Sequence, residues 1–147
     1  LLKKHKFDPA RLEIEITETA LLDHQEKVKA NMDSLRALGV KLALDDFGAG
    51  YSSLQHLRRF PFNKLKIDRE FITDCTAEVQ SATVIHAVAS IGRALGMKVI
   101  AEGVETENAA RFLKIAGVHA LQGYLFGKPV PREEYLTLAS PPTVLSA

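Results

Sequence analysis

Two adjacent carboxylates, Asp45 and Asp46, close an apolar run and open a glycine loop: Leu42 to Leu54 reads LALDDFGAGYSSL. A strand that drives into acid groups and then into Gly48 and Gly50 ends in a site, because glycine permits backbone conformations that a Cβ resists. Alternation puts Leu42, Leu44 and Asp46 on one face and Ala43 and Asp45 on the other, so the carboxylates are expected to diverge. Ser52 or Ser53 can cap the helix that Leu54 and Leu57 begin. Taken alone, an Asp-Asp pair also fits an ordinary strand-to-turn junction with solvated aspartates. Asp46, Phe47 and Gly48 spell the kinase DFG, but no HRD-type loop, APE or P-loop accompanies them and the chain is too short for a kinase.

Four further polar residues stand near the C-terminal ends of apolar segments: Glu15, Lys66, Glu102 and Gln122. In α/β folds that is the ligand edge of the sheet. Parity places Glu13 with Glu15, Ala43 with Asp45, Lys64 with Lys66, Ile100 with Glu102 and Ala120 with Gln122, all on one face. Leu12, Ile14, Leu42, Leu44, Leu65, Ile67 and Val99 fall on the opposite face, which outer helices would cover. Carboxylates gathered with a lysine at one mouth suit divalent metal. Hard oxygens hold Mg²⁺ or Mn²⁺, and two metals roughly 3.5 to 4 Å apart can clamp both oxygens of an in-line phosphoryl displacement. A lysine beside them can orient the attacking water or offset developing charge. Strand-end salt bridges are the plain alternative for any one of these residues; five on one face favour a site. The five histidines fall in no HExxH or HxH pattern and are given no metal role.

The elements that must position these groups can be read from periodicity. Strands are expected from Leu12 to Thr17, Lys41 to Asp46, Lys64 to Asp68, Lys98 to Ala101 and His119 to Leu125. Between them lie a helix carrying Val28, Met32, Leu35 and Leu38, short helical material after Ser52, a long helix with Val84, Ile85, Val88, Ile91 and Leu95 on one face, and another from Asn108 to Ala116. ArgAlaLeuGly followed by a strand and acid groups occurs at Arg36 and again at Arg93, so that Asp45 lies six residues past Gly39 and Glu102 six past Gly96. Strands alternating with glycine-closed helices predict βαβ units and a parallel sheet. Charges on one face and helices over the other fit the inside of a (β/α) barrel better than a doubly wound sheet, which needs both faces apolar.

The chain has 147 residues, 46% of them hydrophobic and 25% charged, enough for one real core with no disordered or fibrous bias. No apolar run approaches the roughly 20 residues of a membrane span, and the opening LLKKHK lacks the apolar stretch of a signal peptide, so the default location is the cytoplasm. A net charge of +1 gives no reason to expect a nucleic-acid polymer as partner. Cys75 is the only cysteine, which excludes an internal disulfide and a cysteine-based zinc site. A chain that begins at Leu1 reads as a cut-out or a fragment.

Five ordered motifs, EITET from Glu15, DDFGAGYSSL from Asp45, LKID from Leu65, AEGVET from Ala101 and QGYLFGKP from Gln122, resemble the EAL-domain family of bacterial cyclic di-GMP phosphodiesterases. The match runs from about Leu12 to Tyr135. The resemblance implies a TIM-like barrel and cleavage of cyclic di-GMP to the linear dinucleotide with Mg²⁺ or Mn²⁺ at a two-metal site. It makes Glu15 and Asp45 metal ligands and Asp46 a ligand of the second metal; Lys66 would position the nucleophilic water, and Glu102 and Gln122 would complete the metal and water environment. Glu18 would steady the loop Phe47, Gly48, Gly50, Tyr51 and Ser52, which is linked to metal, substrate and dimerisation, and Glu105 would hold the loops in place. The family's first part, with the EAL motif and a downstream asparagine that supply further ligands, is absent, and a barrel of this type typically needs around 250 residues. The expectation is therefore an incomplete TIM-like (β/α) barrel of about five parallel strands with outer helices. Residues 1–147 would be the C-terminal portion of one EAL domain, impaired alone and part of a homodimer when complete. The rival reading is a non-catalytic cyclic di-GMP receptor or interaction module.

Overall fold

Five strands form one sheet in the computed structural model, which describes residues 1–22, 25–48 and 54–139. They are β1 (Glu13–Thr17), β2 (Lys41–Phe47), β3 (Lys64–Ile67), β4 (Lys98–Ala101) and β5 (Ala120–Leu121). Every neighbouring pair is parallel, and the spatial order is the chain order. A doubly wound sheet reverses its winding at a switch point so that helices cover both faces, whereas a sheet that never reverses keeps its crossovers on one side. The second case is a (β/α) barrel, and here the barrel is an open arc with β1 and β5 at its edges.

Among the described residues six α-helices accompany the strands: α1 (Gln25–Ala37), α2 (Leu54–Arg59), α3 (Arg69–Thr73), α4 (Val79–Ala94), α5 (Glu107–Ala116) and α6 (Arg132–Ala139). Their apolar stripes cover the strand face that parity assigns to them. Leu42, Leu44, Leu65, Ile67 and Val99 are fully buried in one cluster with Met32, Ile85, Val88 and Leu113. At about 1.5 to 3 kcal/mol for each such side chain removed from water, this layer is what holds the strands in register. Contact is close: a Cβ added to Gly92 of α4 would lie 2.2 Å from Val99 Cγ2. The repeat seen in the sequence is a repeat in structure, since Gly39 and Gly96 take φ of +91° and +69° after α1 and α4, and β2 and β4 begin two residues later.

Several boundaries differ from expectation for identifiable reasons. Leu12 stays outside β1 because its N–H donates to Pro9 O, closing the 3-10 turn Pro9–Arg11. Leu38 and Leu95 lie past the ends of their helices and are exposed. The fifth strand, expected from His119 to Leu125, keeps only Ala120–Leu121. Beyond Leu121 the backbone bonds with the loop after β4: Val104 N–H donates to Gln122 O at 3.0 Å and Leu125 N–H to Val104 O at 3.0 Å. His119 acts before the strand, its Nδ1 accepting from Val99 N–H at 3.0 Å. Asn63 does the same before β3, its Oδ1 accepting from Leu42 N–H at 3.0 Å. α3 was not expected; Asp68 caps it, accepting from Glu70 N–H at 2.7 Å.

Candidate active site

Lys66 stands in the middle of the sheet, on β3 between β2 and β4, with its side chain on the face away from the helices. Three carboxylates from three different strand ends meet its ammonium. Glu15 Oε2 lies 2.8 Å from Nζ, Asp45 Oδ1 3.0 Å and Glu102 Oε1 2.9 Å. Parallel register explains the convergence, because the same parity at the same edge brings β1, β2, β3 and the residue after β4 to one place. The lysine side chain is 7% exposed. Burial alone would lower its pKa; hydrogen bonds to Glu15, Glu102 and Asp45 outweigh it and push the value well above the ordinary lysine range. Lys66 is therefore a charged group held by its partners. One layer below, Lys64 Nζ and Glu13 Oε1 repeat the pattern at 2.7 Å.

Asp46 departs from strict alternation. Leu44 is opposite Leu65 but Phe47 is opposite Ile67, so β2 spends one extra residue there, and Asp46 takes the left-handed φ of +55°. Its N–H donates to Asp45 Oδ1 at 3.1 Å. The bulge carries Asp46 off the helix-covered face, where parity had placed it, and returns Phe47 to the core. Partial desolvation raises the Asp46 pKa first, the charges of Asp45 and Asp68 add to it, Lys66 opposes it, and a carboxyl hydrogen bond to Asp68 raises it further. Asp45, Asp46 and Asp68 are thus crowded acids beside the lysine-centred group.

A family model described as the EAL domain matches residues 1–129. This chain is a member of the EAL domain family. MucR of Pseudomonas aeruginosa, a bifunctional diguanylate cyclase/cyclic di-GMP phosphodiesterase, is 41% identical over 135 residues, covering 92% of this chain and 20% of that protein. The chain spans about a fifth or less of the first curated relatives it matches. A solved MucR phosphodiesterase in complex with c-di-GMP aligns with a TM-score of 0.86 at 40% identity, over 91% of this chain and 54% of that one. Klebsiella pneumoniae BlrP1 in a manganese/cyclic di-GMP complex aligns with a TM-score of 0.82 at 37% identity, over 87% of this chain and 33% of that one. The open arc is accordingly a piece of the TIM-like barrel of EAL domains.

The other expected residues of this EAL chain are distributed around the group. Gln122 follows β5, next to Glu102 through the hydrogen bond from its N–H to Ala101 O at 2.9 Å, and it lines a cleft of about 670 Å³ with Tyr124, Phe126, Tyr135 and Leu138. Gly123 lets this loop lie against the one after β4, since a Cβ there would fall 2.1 Å from Val104 O. Glu105 pairs with Arg69 at 2.7 Å on the surface. Glu18 begins a 3-10 turn after β1, 4% exposed, and among the described residues neither of its carboxylate oxygens has a hydrogen-bond partner. Gly48 packs on α3; a Cβ would lie 2.7 Å from Phe71 Cε2. Gly50, Tyr51 and Ser52 lie outside the described residues, as does the Ser52 or Ser53 cap. Asp68 was missed as a site residue, although it shares the parity of Lys64 and Lys66 and stands one position past β3.

The donors fit a hard divalent cation by chemistry: carboxylate oxygens aimed at one point already filled by a positive charge. Among the described residues no three acidic, histidine or cysteine side chains are drawn together at metal spacing, and the Lys66 ammonium stands where Glu15, Asp45 and Glu102 converge.

Proposed function

We propose that this chain supplies much of a phosphodiesterase site that hydrolyses cyclic di-GMP to the linear dinucleotide with Mg²⁺ or Mn²⁺. The observation that carries the reading is the convergence of Glu15, Asp45 and Glu102 on one cation position. Similarity to MucR, and to BlrP1 in its manganese/cyclic di-GMP complex, supports the substrate and the metal class. Glu15, Asp45 and Glu102 would hold one cation, and Asp46, with Asp68 beside it, would offer oxygens to a second. Bound there, the cations supply Lewis-acid neutralisation of charge on the phosphoryl oxygens. Lys66 and Gln122 hold and orient the attacking water, while the loop that begins at Phe47 and Gly48, steadied by Glu18, and the Glu105 pair with Arg69 keep the mouth in shape.

In this reading residues 1–147 are the C-terminal portion of an EAL domain, and the metal ligands of the motif that names the family come from residues outside the chain. The isolated chain then cleaves little, the intact protein works as a homodimer, and the site acts in the cytoplasm. No helix among the described residues is long and apolar enough to cross a membrane.

Chromatography of the products from cyclic di-GMP incubated with the intact protein and Mn²⁺ tests this. The linear dinucleotide should form with Mn²⁺, stop with chelator, and fall by at least about two orders of magnitude in Glu102→Ala. Turnover that ignores chelation or survives the substitution contradicts it.

A further inference from the structure

We propose that Lys66 is the internal cation that gathers Glu15, Asp45 and Glu102 before any metal arrives, and that loading the site expels its ammonium from them. The inference rests on the divalent-cation reading above. An ammonium has three N–H donors, and here three carboxylate oxygens lie within donor reach of it, at 2.8, 3.0 and 2.9 Å. Three such partners are enough to take all three donors and leave none for a water. In this arrangement Lys66 cannot also orient a nucleophile, so the same side chain must have a second position if it is to serve in hydrolysis.

At the point these three oxygens share, the two cations are exclusive. The carboxylates surround a point at nitrogen-to-oxygen spacing, whereas Mg²⁺ binds oxygen at about 2.0 to 2.1 Å. The cage must therefore contract by roughly 0.8 Å around a metal, and it cannot do so with Nζ inside. Charge supplies the reason for a placeholder. Three carboxylates crowded at the sheet mouth repel each other, and with the Asp45 and Glu102 side chains only 19% and 21% exposed, water screens that pair weakly. One ammonium offsets only one of the three negative charges; a divalent ion in its place offsets two, which is what favours the exchange.

The element that moves is small. Lys66 has neighbours on both sides, β2 and β4, so its backbone is fixed and only the flexible four-carbon stem can swing. Glu15 is the freest of the three partners, its side chain 48% exposed at the edge strand β1, and is the one to release first. A seated lysine also lowers apparent metal affinity by the fraction of time it is seated.

Calorimetric Mn²⁺ titration of the intact protein and its Lys66→Met variant, with thermal melts of both, tests the proposal. The variant should bind Mn²⁺ about tenfold tighter, as expected for a competitor seated about nine-tenths of the time. It should melt lower than wild type without metal and regain that loss with Mn²⁺. Should the variant not fold, the side-chain ¹⁵N resonance of Lys66 in the wild type decides: it should leave its hydrogen-bonded position as Mg²⁺ saturates. Equal or weaker Mn²⁺ binding by a folded variant, or a Lys66 resonance unmoved at saturating Mg²⁺, overturns this inference and leaves the metal site standing. Uptake of neither cation by either protein overturns both.

Discussion

Asp45 accepts from Lys66 Nζ and from the N–H of Asp46 through the same oxygen, so it links the buried ammonium to the bulge that aims the next carboxylate. Asp45→Ala removes both connections at once, and turnover of cyclic di-GMP by the intact protein should fall by at least about two orders of magnitude. Steady-state hydrolysis of the variant checks this; turnover near wild type would take Asp45 out of the site. Cys75 lies outside this chemistry: it is buried just past α3, and burial pushes its thiol up, against a weaker lowering by a backbone hydrogen bond and with a still smaller upward push from the neighbouring Asp74 charge. Thiolate is then scarce near neutral pH, and alkylation of the native chain should run at least about tenfold slower than in denaturant. Equal rates would mean that the thiol is not where the fold puts it. At this scale the sequence is informative wherever strict alternation holds. Parity groups Glu15, Asp45, Lys66 and Glu102 correctly and contains Asp68 as well, but it misplaces Asp46, because a bulge is one extra residue that a period of two cannot announce.

β5 contributes only two residues to the sheet, so Gln122 owes its position to the loop contacts that follow. Gly123 makes them possible by lying against the Val104 backbone, and Val104 itself is fully buried two residues from Glu102. Gly123→Ala should force the two loops apart, costing about 1 to 3 kcal/mol and lowering turnover by at least about tenfold. A melting curve and a rate for that variant measure both, and wild-type values in each would show that the loops have room. Glu18 gives the opposite signature. Among the described residues nothing bonds the buried Glu18 carboxylate, a costly state, so Glu18→Gln should melt no lower than wild type, or higher, while losing activity if Glu18 steadies the loop that begins at Phe47 and Gly48. Unchanged turnover would assign Glu18 no part in the site. The strands are legible because their apolar residues alternate, and the long helices because each carries a full period of apolar residues closed by glycine. The end of β5 and the short α3 are not, since one depends on loop-to-loop hydrogen bonds and the other has only five residues.

The sheet never reverses its winding, and that places every polar strand end on one concave side. The barrel class could be inferred from charges gathered on one strand face, because a sheet buried on both sides could not tolerate Glu13, Glu15, Lys64 and Lys66 within its strands. The edges of the described arc, β1 and β5, leave backbone groups unpaired, and Ile14 and Ile16 are only half-buried there. The 147-residue chain should therefore keep its secondary structure but self-associate, which light scattering on a sizing column will show as a mass above that of one chain. A strict monomer would mean that its edges are protected. The central claim is that Glu15, Asp45 and Glu102 form one cation site now filled by Lys66. Its most direct test is an anomalous difference map at the manganese edge from crystals of the intact protein grown with Mn²⁺. The account predicts a peak at metal-bonding distance from all three carboxylates with the Lys66 ammonium displaced, and a map with Lys66 still seated among them and manganese elsewhere or nowhere would contradict it.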